Sequence, residues 1–236
     1  MIEIVPQTGS TNADLAAKLR SGEGWAEGRW LVARRQTAGR GRQGREWFDG
    51  AGNFMGSTVV LTGEGGPPSA TLSFVAALAV RDAVAATLGE DAPLALKWPN
   101  DVLLDGGKLS GILLEMVRGL IVVGIGVNLA RAPQLSDRKT AAIADITAPP
   151  SLEVFSDNLA TAFVRRLEAW RTYGLGATLH AFLNRSIHAQ GSPVTVHDTD
   201  GSVLSGTFAG LEESDGALRL RLADGSERVI RAGDIS

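Results

Sequence analysis

The sequence predicts an α+β fold, in which a mixed β-sheet with helices mainly on one face is followed by a small C-terminal β-barrel. Two long segments, residues 69–88 and 151–173, carry apolar side chains at helical spacing. Shorter apolar or alternating segments around them indicate strands. After residue 188, Asp-Gly pairs between alternating segments are typical of hairpins, because glycine accepts the positive φ of the turn. We therefore predict two domains, residues 1–188 and 189–236.

The elements of the first half follow from capping residues as well as from periodicity. Ser10, Thr11 and Asn12 are natural N-caps, so a helix is predicted directly after them, at residues 13–20. The long helix that follows later ends at Gly89, a typical helix stop. Strands are predicted at residues 2–5, 29–34 and 53–61, and a loop rich in glycine and arginine at residues 38–52.

The second half is predicted to contain several short strands, a long loop and one helix. Residues 120–129 are apolar almost throughout, which indicates a strand buried on both faces. The helix at 151–173 is capped by Ser151, and the Pro- and Ala-rich segment 132–150 before it is predicted to be a loop. Further strands are predicted at 94–98, 102–104, 109–117, 194–196, 203–211 and 218–222, with Asp-Gly turns at 200–201, 215–216 and 224–225.

Composition argues against several classes of function. The 236 residues carry a formal net charge of −3, so the chain has no overall basic footprint for nucleic acid. There is no cysteine, which rules out disulfides and thiol nucleophiles, and the three histidines lack metal-ligand spacing. The apolar runs at 74–80 and 120–123 are shorter than the about 20 residues of a membrane span, and the N-terminal residues lack a secretory pattern. We expect a cytoplasmic protein.

The segment QTAGRGRQGREW, residues 36–47, carries the strongest chemical signal. From Arg34 to Arg45, both included, there are five arginines and no acidic residue. Glycines among them let the backbone fold tightly, so that guanidinium and N–H groups can converge on an anion. The Gly-x-Gly-x-x-Gly spacing inside the segment is not a dinucleotide fingerprint, because no helix pattern follows it. The alternative is a solvated basic loop.

Two further motifs are candidates for the same site. The segment KWPND, residues 97–101, presents an amide and a carboxylate after a rigid proline corner. A plain turn between strands would also explain it. The segment KLSGILLE, residues 108–115, places a lysine at the start of a strand, from where it can reach a ligand lying over the sheet. Taken alone, Lys108 could equally be a surface lysine.

Together, these motifs resemble those of biotin–protein ligases. That family has a GRGRxGRxW loop, then KWPND, then KLxGIL followed by Glu, in the order and at the spacing found here. Ser-Thr-Asn at 10–12, Gly-Val-Asn at 126–128 and, more weakly, Gly-Ala-Leu at 216–218 also match. The resemblance implies a catalytic core similar to that of class II aminoacyl-tRNA synthetases and an SH3-like C-terminal domain.

The resemblance also implies a reaction in two steps. The carboxylate of biotin attacks the α-phosphate of ATP to give biotinyl-5′-AMP and pyrophosphate, and a lysine of a biotin carboxyl carrier protein then attacks the mixed anhydride. Biotin as substrate, ATP and Mg²⁺ on the phosphates are therefore expected. Because two anions must meet, cationic side chains are needed. The glycine-rich loop at 39–52 is expected to act as a lid that keeps water from the adenylate.

Matching positions imply roles for individual residues. Lys108, Arg42 and Arg45 are expected to be catalytic. Biotin is expected to contact Ser10, Thr11, Asn12, Gln36, Gly39, Arg40, Lys108 and Gly111. ATP and the adenylate are expected to contact Arg40, Arg42, Arg45, Trp47, Asn100, Asp101 and Asn128. No metal ligand is assigned, although Mg²⁺ near Asp101 fits the motif. Ser10 and Thr11 could also be plain helix caps, and Trp47 a core tryptophan.

Three alternatives accompany this interpretation. A lipoate–protein ligase shares the fold and the adenylation, but the arginine loop and Ser-Thr-Asn favour biotin. A biotin-sensing DNA-binding repressor is disfavoured, because Ser-Thr-Asn begins at residue 10 and leaves no room before it for a helix-turn-helix. The last 48 residues could be an interaction module, but we expect them to help enclose ATP or the acceptor. We expect neither DNA nor membrane binding, and a homodimer stays open.

Overall fold

The computed structural model describes residues 1–63, 65–198 and 201–236. Within these residues the chain forms a seven-stranded mixed sheet, three α-helices and a five-stranded antiparallel sheet. The predicted fold class is therefore confirmed. The turn predicted at 200–201 includes Asp200, which lies outside the described residues.

The seven-stranded sheet is the scaffold of the larger part of the molecule. Its strands are β1 (Ile2–Val5), β2 (Trp30–Ala33), β3 (Phe54–Leu61), β4 (Leu94–Lys97), β5 (Asp101–Leu104), β6 (Gly107–Val117) and β7 (Leu120–Val127). They lie in the order β1-β2-β3-β7-β6-β5-β4. Only the β1–β2 pair is parallel among these strands, which makes the sheet mixed. Strands β3, β7 and β6 pair over their full lengths or nearly so and form its centre.

The helices begin and end at the residue types that the sequence indicates. Helix α1 (Thr11–Ser21) has Ser10 as its N-cap and Gly22 in the left-handed conformation at its end. Helix α2 (Leu72–Leu88) follows a short 3₁₀ turn and ends at Gly89. The structure thus confirms these two of the three predicted helices to within a few residues.

Helix α3 (Leu152–Leu183) is longer than predicted. The predicted helix at 151–173 stops where Gly174 interrupts the helical backbone with a φ of 76°. The segment after Gly174 is helical again and buries Leu175, Leu179 and Phe182. Sequence periodicity missed it because the glycines at 174 and 176 weaken the helical pattern there.

Two separate hydrophobic clusters lie on opposite faces of the seven-stranded sheet. Helices α2 and α3 cover one face, where Trp30 and Phe163 pack edge to face. Helix α1 covers part of the other face, with Leu15 packed in a smaller cluster that includes Val122. Because successive side chains of a strand point to opposite faces, Val123 belongs to the larger cluster. Around Val122 and Val123, strand β7 is therefore buried on both faces, as predicted, whereas Gly124 and Gly126 further along it are only partly buried.

Helix α2 with its preceding turn, Ser69–Leu88, departs from one expectation. By length and composition alone this segment could cross a membrane, so the expectation that no apolar stretch is long enough was wrong in this detail. Its residues from Leu72 to Val80 are all buried against the sheet and α3. A core helix passes the same test of length and composition, and α2 packs as one.

The five-stranded sheet contains β8 (Pro193–His197), β9 (Val203–Leu211), β10 (Leu218–Arg221), β11 (Glu227–Ile230) and β12 (Asp234–Ile235), in the order β11-β10-β9-β8-β12. Strands β11 and β12 were not predicted. The first exposes three of its four residues and the second has two residues, so neither has a periodic apolar pattern. The predicted division of the chain at residue 188 stays a prediction.

The small sheet packs directly on the larger part of the molecule. The indole N–H of Trp98 donates to the backbone oxygen of Gly216 at 3.1 Å. Gly216 lies so close to Phe74 that an added Cβ would be 2.3 Å from its ring. Buried residues of β8, β9 and β10 join the same hydrophobic cluster as α2 and α3. The two sheets therefore share one apolar interior.

Candidate active site

A cavity of about 600 Å³ lies on the face of the seven-stranded sheet that carries α1. It is bordered by the N-terminus of α1, the arginine loop, β6, β7, the segment before α3 and the end of the small sheet. Every site residue predicted from the sequence lines it: Ser10, Thr11, Asn12, Gln36, Gly39, Arg40, Arg42, Arg45, Trp47, Asn100, Asp101, Lys108, Gly111 and Asn128. Segments far apart in the sequence therefore converge on one hollow.

One end of the cavity, which we call the neutral end, consists of buried uncharged side chains. The backbone N–H of Thr11 donates to Oε1 of Gln36 at 2.7 Å. The Thr11 hydroxyl lies 2.7 Å from that of Ser57, which donates to Oδ1 of Asn12 at 2.6 Å. Ser57 was not predicted, because a serine inside an apolar strand gives no signal until pairing places it beside α1.

The floor of the cavity is made of glycines on β6 and β7. A Cβ added to Gly126 would lie 2.2 Å from the Trp47 ring, and one added to Gly111 would lie 3.0 Å from it. The indole of Trp47 therefore rests directly on the backbone of the sheet, and its N–H is buried without a hydrogen-bond partner among the described residues. Trp47 is thus a cavity residue and not a tryptophan of either hydrophobic cluster.

The arginine loop folds back on itself over the cavity. The N–H of Gly41 donates to the oxygen of Arg45 at 2.7 Å, and the N–H of Trp47 donates to the oxygen of Gly39 at 2.9 Å. The turn between them needs left-handed backbone at Gln43 (φ 57°) and Gly44 (φ 73°), which explains the glycine at 44. This conformation directs Arg42 and Arg45 to the same region.

The other end of the cavity, which we call the charged end, contains cations from two segments, the arginine loop and β6. Lys108 pairs with Asp101 at 2.7 Å, and Arg42 donates to Oδ1 of Asn100 at 3.0 Å. Arg45 pairs with Asp234. Burial lowers the pKa of Arg42, although the charges of Asp234 and Asp101 act to raise it. A guanidinium still keeps its charge at neutral pH.

Asp234 and Gly233 come from the small sheet and were missed by the sequence analysis. Arg42 donates to the backbone oxygen of Gly233 at 3.4 Å. Burial by itself raises the pKa of Asp234, but the hydrogen bond and charge of Arg45, with Arg42 and Lys108, outweigh it and hold the pKa below its ordinary value. No local pattern marks either residue, since only the packing of the two sheets brings them to the cavity.

The segment 132–150 also contributes residues that were not predicted. Pro133, Leu135, Asp137, Arg138 and Thr140 line the cavity. The amide of Asn128 donates to the backbone oxygen of Ala141 at 3.1 Å, so Asn128 also holds this segment beside β6 and β7. The predicted loop therefore forms one wall of the site.

The chain is similar in sequence and in fold to proteins of known family. The profile of the biotin/lipoate A/B protein ligase family matches residues 4–130. A biotin–[acetyl-CoA-carboxylase] ligase of Paracoccus denitrificans is 41% identical over 98% of each chain. The chain belongs to the biotin/lipoate A/B protein ligase family. A second family profile, that of the biotin protein ligase C-terminal domain, matches residues 190–236.

Two further proteins are similar to this chain over nearly its whole length. A biotin–[acetyl-CoA-carboxylase] ligase of Mycobacterium tuberculosis is 37% identical over 99% of this chain and 88% of its own length. The solved structure of the biotin protein ligase from Aquifex aeolicus in complex with biotin and ATP aligns with a TM-score of 0.84, covering 100% of this chain and 97% of that one. At 24% identity, this last likeness shows the fold.

Proposed function

We propose that this chain is a biotin–protein ligase that activates biotin with ATP to biotinyl-5′-AMP and transfers biotin to a lysine of a biotin carboxyl carrier protein. The observation that carries the proposal is one cavity with a neutral hydrogen-bonding end and a charged end that contains Arg42, Arg45 and Lys108. The relatives named as biotin–[acetyl-CoA-carboxylase] ligases over nearly the whole chain support it.

The neutral end suits the ureido group of biotin. A ureido group needs acceptors for its two N–H groups and a donor for its oxygen. Thr11, Ser57 and Gln36 offer hydroxyl and amide groups that are almost completely buried. Such groups discriminate well because a mismatched ligand leaves them unpaired. We assign biotin contacts to Ser10, Thr11, Asn12, Gln36, Gly39, Arg40, Lys108 and Gly111.

The charged end suits the approach of a carboxylate to a triphosphate. Arg42, Arg45 and Lys108 reach the cavity from the arginine loop and from β6, and their charges offset the repulsion between the two anions. We propose these three residues as catalytic. Asn100, Asp101, Asn128 and Arg40 are proposed to contact the nucleotide, and Trp47 to pack against the adenine.

Carboxylates neutralise much of this charge in the structure. The basic residues lining the cavity are Arg40, Arg42, Arg45, Lys108 and Arg138, and the acidic ones are Glu46, Asp49, Asp101, Asp137 and Asp234. Ion pairs join Lys108 to Asp101, Arg45 to Asp234 and Arg138 to Asp137. Because these pairs are partly exposed, each is weak, and phosphate oxygens can replace a carboxylate without a large loss.

Mg²⁺ is proposed to enter with ATP. No group of three or more His, Cys, Asp or Glu side chains that could hold a metal occurs in the described part of the chain. This fits Mg²⁺, which is usually held by one or two carboxylates, substrate phosphates and water. Asp101 is the carboxylate in place for this, beside Lys108. When bound, the ion would neutralise charge on the phosphates.

Other parts of the proposal concern the setting of the reaction. We propose that the loop at 39–52 shields the adenylate from water and that the acceptor is the carrier domain of a biotin-dependent carboxylase. The supply of ATP and the absence of cysteine fit a cytoplasmic enzyme. Whether it forms a homodimer stays open.

The decisive experiment is incubation of the chain with biotin, Mg-ATP and a biotin carboxyl carrier domain, followed by mass spectrometry of the acceptor. We expect one added biotinyl group, and none when ATP is omitted or the acceptor lysine is replaced by arginine. A parallel reaction with lipoate tests the lipoate–protein ligase alternative. Lipoyl transfer that exceeds biotinyl transfer would overturn the choice of substrate.

A further inference from the structure

A chain of hydrogen bonds leads from the neutral end of the cavity to a carboxylate that does not line it. Asn12 donates from Nδ2 to Oε2 of Glu115 at 2.7 Å. Glu115 lies on β6, on the same face as Gly111, and is half-buried. The complete chain runs Glu115–Asn12–Ser57–Thr11–Gln36.

The carboxylate determines which way the hydrogens of Asn12 and Ser57 point. An ionised carboxylate only accepts, so Asn12 must turn its NH₂ group to Glu115 and its oxygen to Ser57. Ser57 therefore donates its single hydroxyl hydrogen to Oδ1 of Asn12 at 2.6 Å. The 2.7 Å contact between Ser57 and Thr11 is then a hydrogen bond only if Thr11 is the donor.

The Thr11 hydroxyl faces the cavity with a fixed hydrogen-bond polarity. The single hydroxyl hydrogen of Thr11 has two acceptors within reach, Oγ of Ser57 at 2.7 Å and Oε1 of Gln36 at 3.0 Å, and either of them takes it up. The Thr11 hydroxyl therefore presents lone pairs to a ligand. A ligand N–H matches it, and a ligand oxygen at the same place does not.

The position of Asn12 leaves little freedom for another arrangement. A Cβ added to Gly124 would lie 2.2 Å from Oδ1 of Asn12, so the amide packs directly on the backbone of β7. Thr11, Asn12 and Ser57 are each at most 5% exposed, so water does not substitute for a lost partner. These side chains therefore form one continuous series of hydrogen bonds, which we call the relay.

We propose that Glu115 is a positioning residue that sets the hydrogen-bond polarity of the ligand pocket through Asn12, Ser57 and Thr11, and so selects a ligand that offers an N–H at this point. This inference rests on the proposed function, in which that ligand group is the ureido N–H of biotin. Glu115 itself touches neither the ligand nor the reacting atoms.

The test uses Glu115→Gln and two biotin analogues, in each of which one ureido N–H is replaced by oxygen to give a cyclic carbamate. We expect the wild-type enzyme to prefer biotin to at least one analogue by about 10- to 100-fold in kcat/KM for ATP–pyrophosphate exchange. In Glu115→Gln the amide can also donate to Asn12, so the relay can reverse and the preference is expected to fall about tenfold.

A double variant restores the polarity by another route. In Asn12→Asp/Glu115→Gln the carboxylate and the amide exchange places, and the net charge equals that of the wild type. Asp at position 12 only accepts, so Ser57 must again donate to it and Thr11 to Ser57. We expect this variant to recover the wild-type preference for biotin over the analogue. A purely structural role of Glu115 would not produce this recovery.

The matched control is Glu23→Gln, which removes a carboxylate from the exposed ion pair with Lys18 just beyond α1. It should keep the wild-type preference. An unchanged preference in Glu115→Gln, or no recovery in the double variant, would overturn the inference while biotin activation by the wild type stands. If Glu115→Gln fails to fold, Asn12→Ala, which interrupts the hydrogen bonds between Glu115 and Ser57, takes its place, and an unchanged preference in that variant would overturn the inference. Lack of biotin-dependent exchange in the wild type would overturn the proposed function and this inference with it.

Discussion

The neutral and charged ends of the cavity are built in different ways. The neutral end takes its side chains from α1, β3 and the residues after β2, and these are buried and bonded at 2.6 to 3.0 Å. The charged end takes its side chains from the arginine loop, from β5 and β6 and from the small sheet, and Lys108, Asp101, Arg45 and Asp234 are 17 to 42% exposed. At the neutral end the direction of each hydrogen bond governs ligand binding, and at the charged end the charge of the side chains does.

Because of this difference, the two ends can recognise biotin and ATP by separate kinds of interaction. Buried hydrogen bonds of fixed direction discriminate by geometry and are little affected by salt. Partly exposed cations act over a longer range, tolerate movement and are screened by salt. Substitutions at the charged end should therefore change ATP-dependent steps and their salt dependence, whereas those at the neutral end should change the choice of acid.

The largest effect is expected from removing a cation of the charged end. Lys108→Ala and Arg42→Ala are each expected to slow ATP–pyrophosphate exchange by about 10²–10³-fold, because the anions then meet without an offsetting charge. The control is Lys139→Ala, since Lys139 pairs with Asp105 at the surface and does not line the cavity. Near-normal exchange in Lys108→Ala or Arg42→Ala would contradict the assignment of that residue.

The next effect concerns the glycine floor that both ends share. Gly126→Ala places a methyl group where the Trp47 ring lies, and overpacking of this kind corresponds to a loss of roughly 10-fold in binding. Titration of biotin and ATP against Trp fluorescence measures it. Gly176→Ala is the control, because nothing lies within 4 Å of its new Cβ. Equal affinities in both variants would mean that Trp47 does not rest on the floor.

A smaller effect is expected where the small sheet meets the arginine loop. Asp234→Ala removes the carboxylate that orients Arg45 and approaches Arg42. A partly exposed ion pair contributes little, so KM for ATP is expected to rise about two- to fivefold. The rise should shrink as salt is added. A change in KM for biotin alone would place Asp234 at the wrong end of the cavity.

The smallest expected effect is the contribution of Asp234 to the free energy of unfolding, which depends on pH. Since the folded-state pKa of Asp234 lies below its ordinary value, its contribution to stability is present above about pH 4, the ordinary pKa of Asp. The contribution is lost as pH falls through the lowered value. Urea unfolding of the wild type and of Asp234→Asn should therefore differ at pH 6 and converge in acid. A difference that grows in acid would contradict this sign.

Sequence reasoning predicted the fold class, both strongly periodic helices and most strands of the larger sheet, because those elements have apolar periodicity and clear caps. It also named fourteen residues that all line the cavity. Those residues come from motifs that are contiguous in sequence, so the resemblance to a known family could identify them.

What the sequence did not indicate depends on contacts between distant segments. Ser57 and Asp234 have ordinary neighbours in the chain, and only strand pairing and sheet packing give them their positions. Glu115 ends the KLSGILLE motif, but its contact with Asn12 also depends on the packing of α1 on the sheet. Helix α3 was cut short because a glycine at 174 is a stop signal locally, whereas burial of Leu179 and Phe182 stabilises the helical segment after it. Tertiary packing overrode local propensity there.

The shared interior of the two sheets has a practical consequence. Deleting residues 189–236 would strip the cover from Phe74 and Leu179 and leave the indole N–H of Trp98 without its acceptor. A truncated enzyme that is inactive would then report damage to the hydrophobic core as much as the loss of Asp234. The small sheet should accordingly unfold together with the rest of the chain in one cooperative transition. Its role in catalysis is therefore better studied by point substitutions than by deletion.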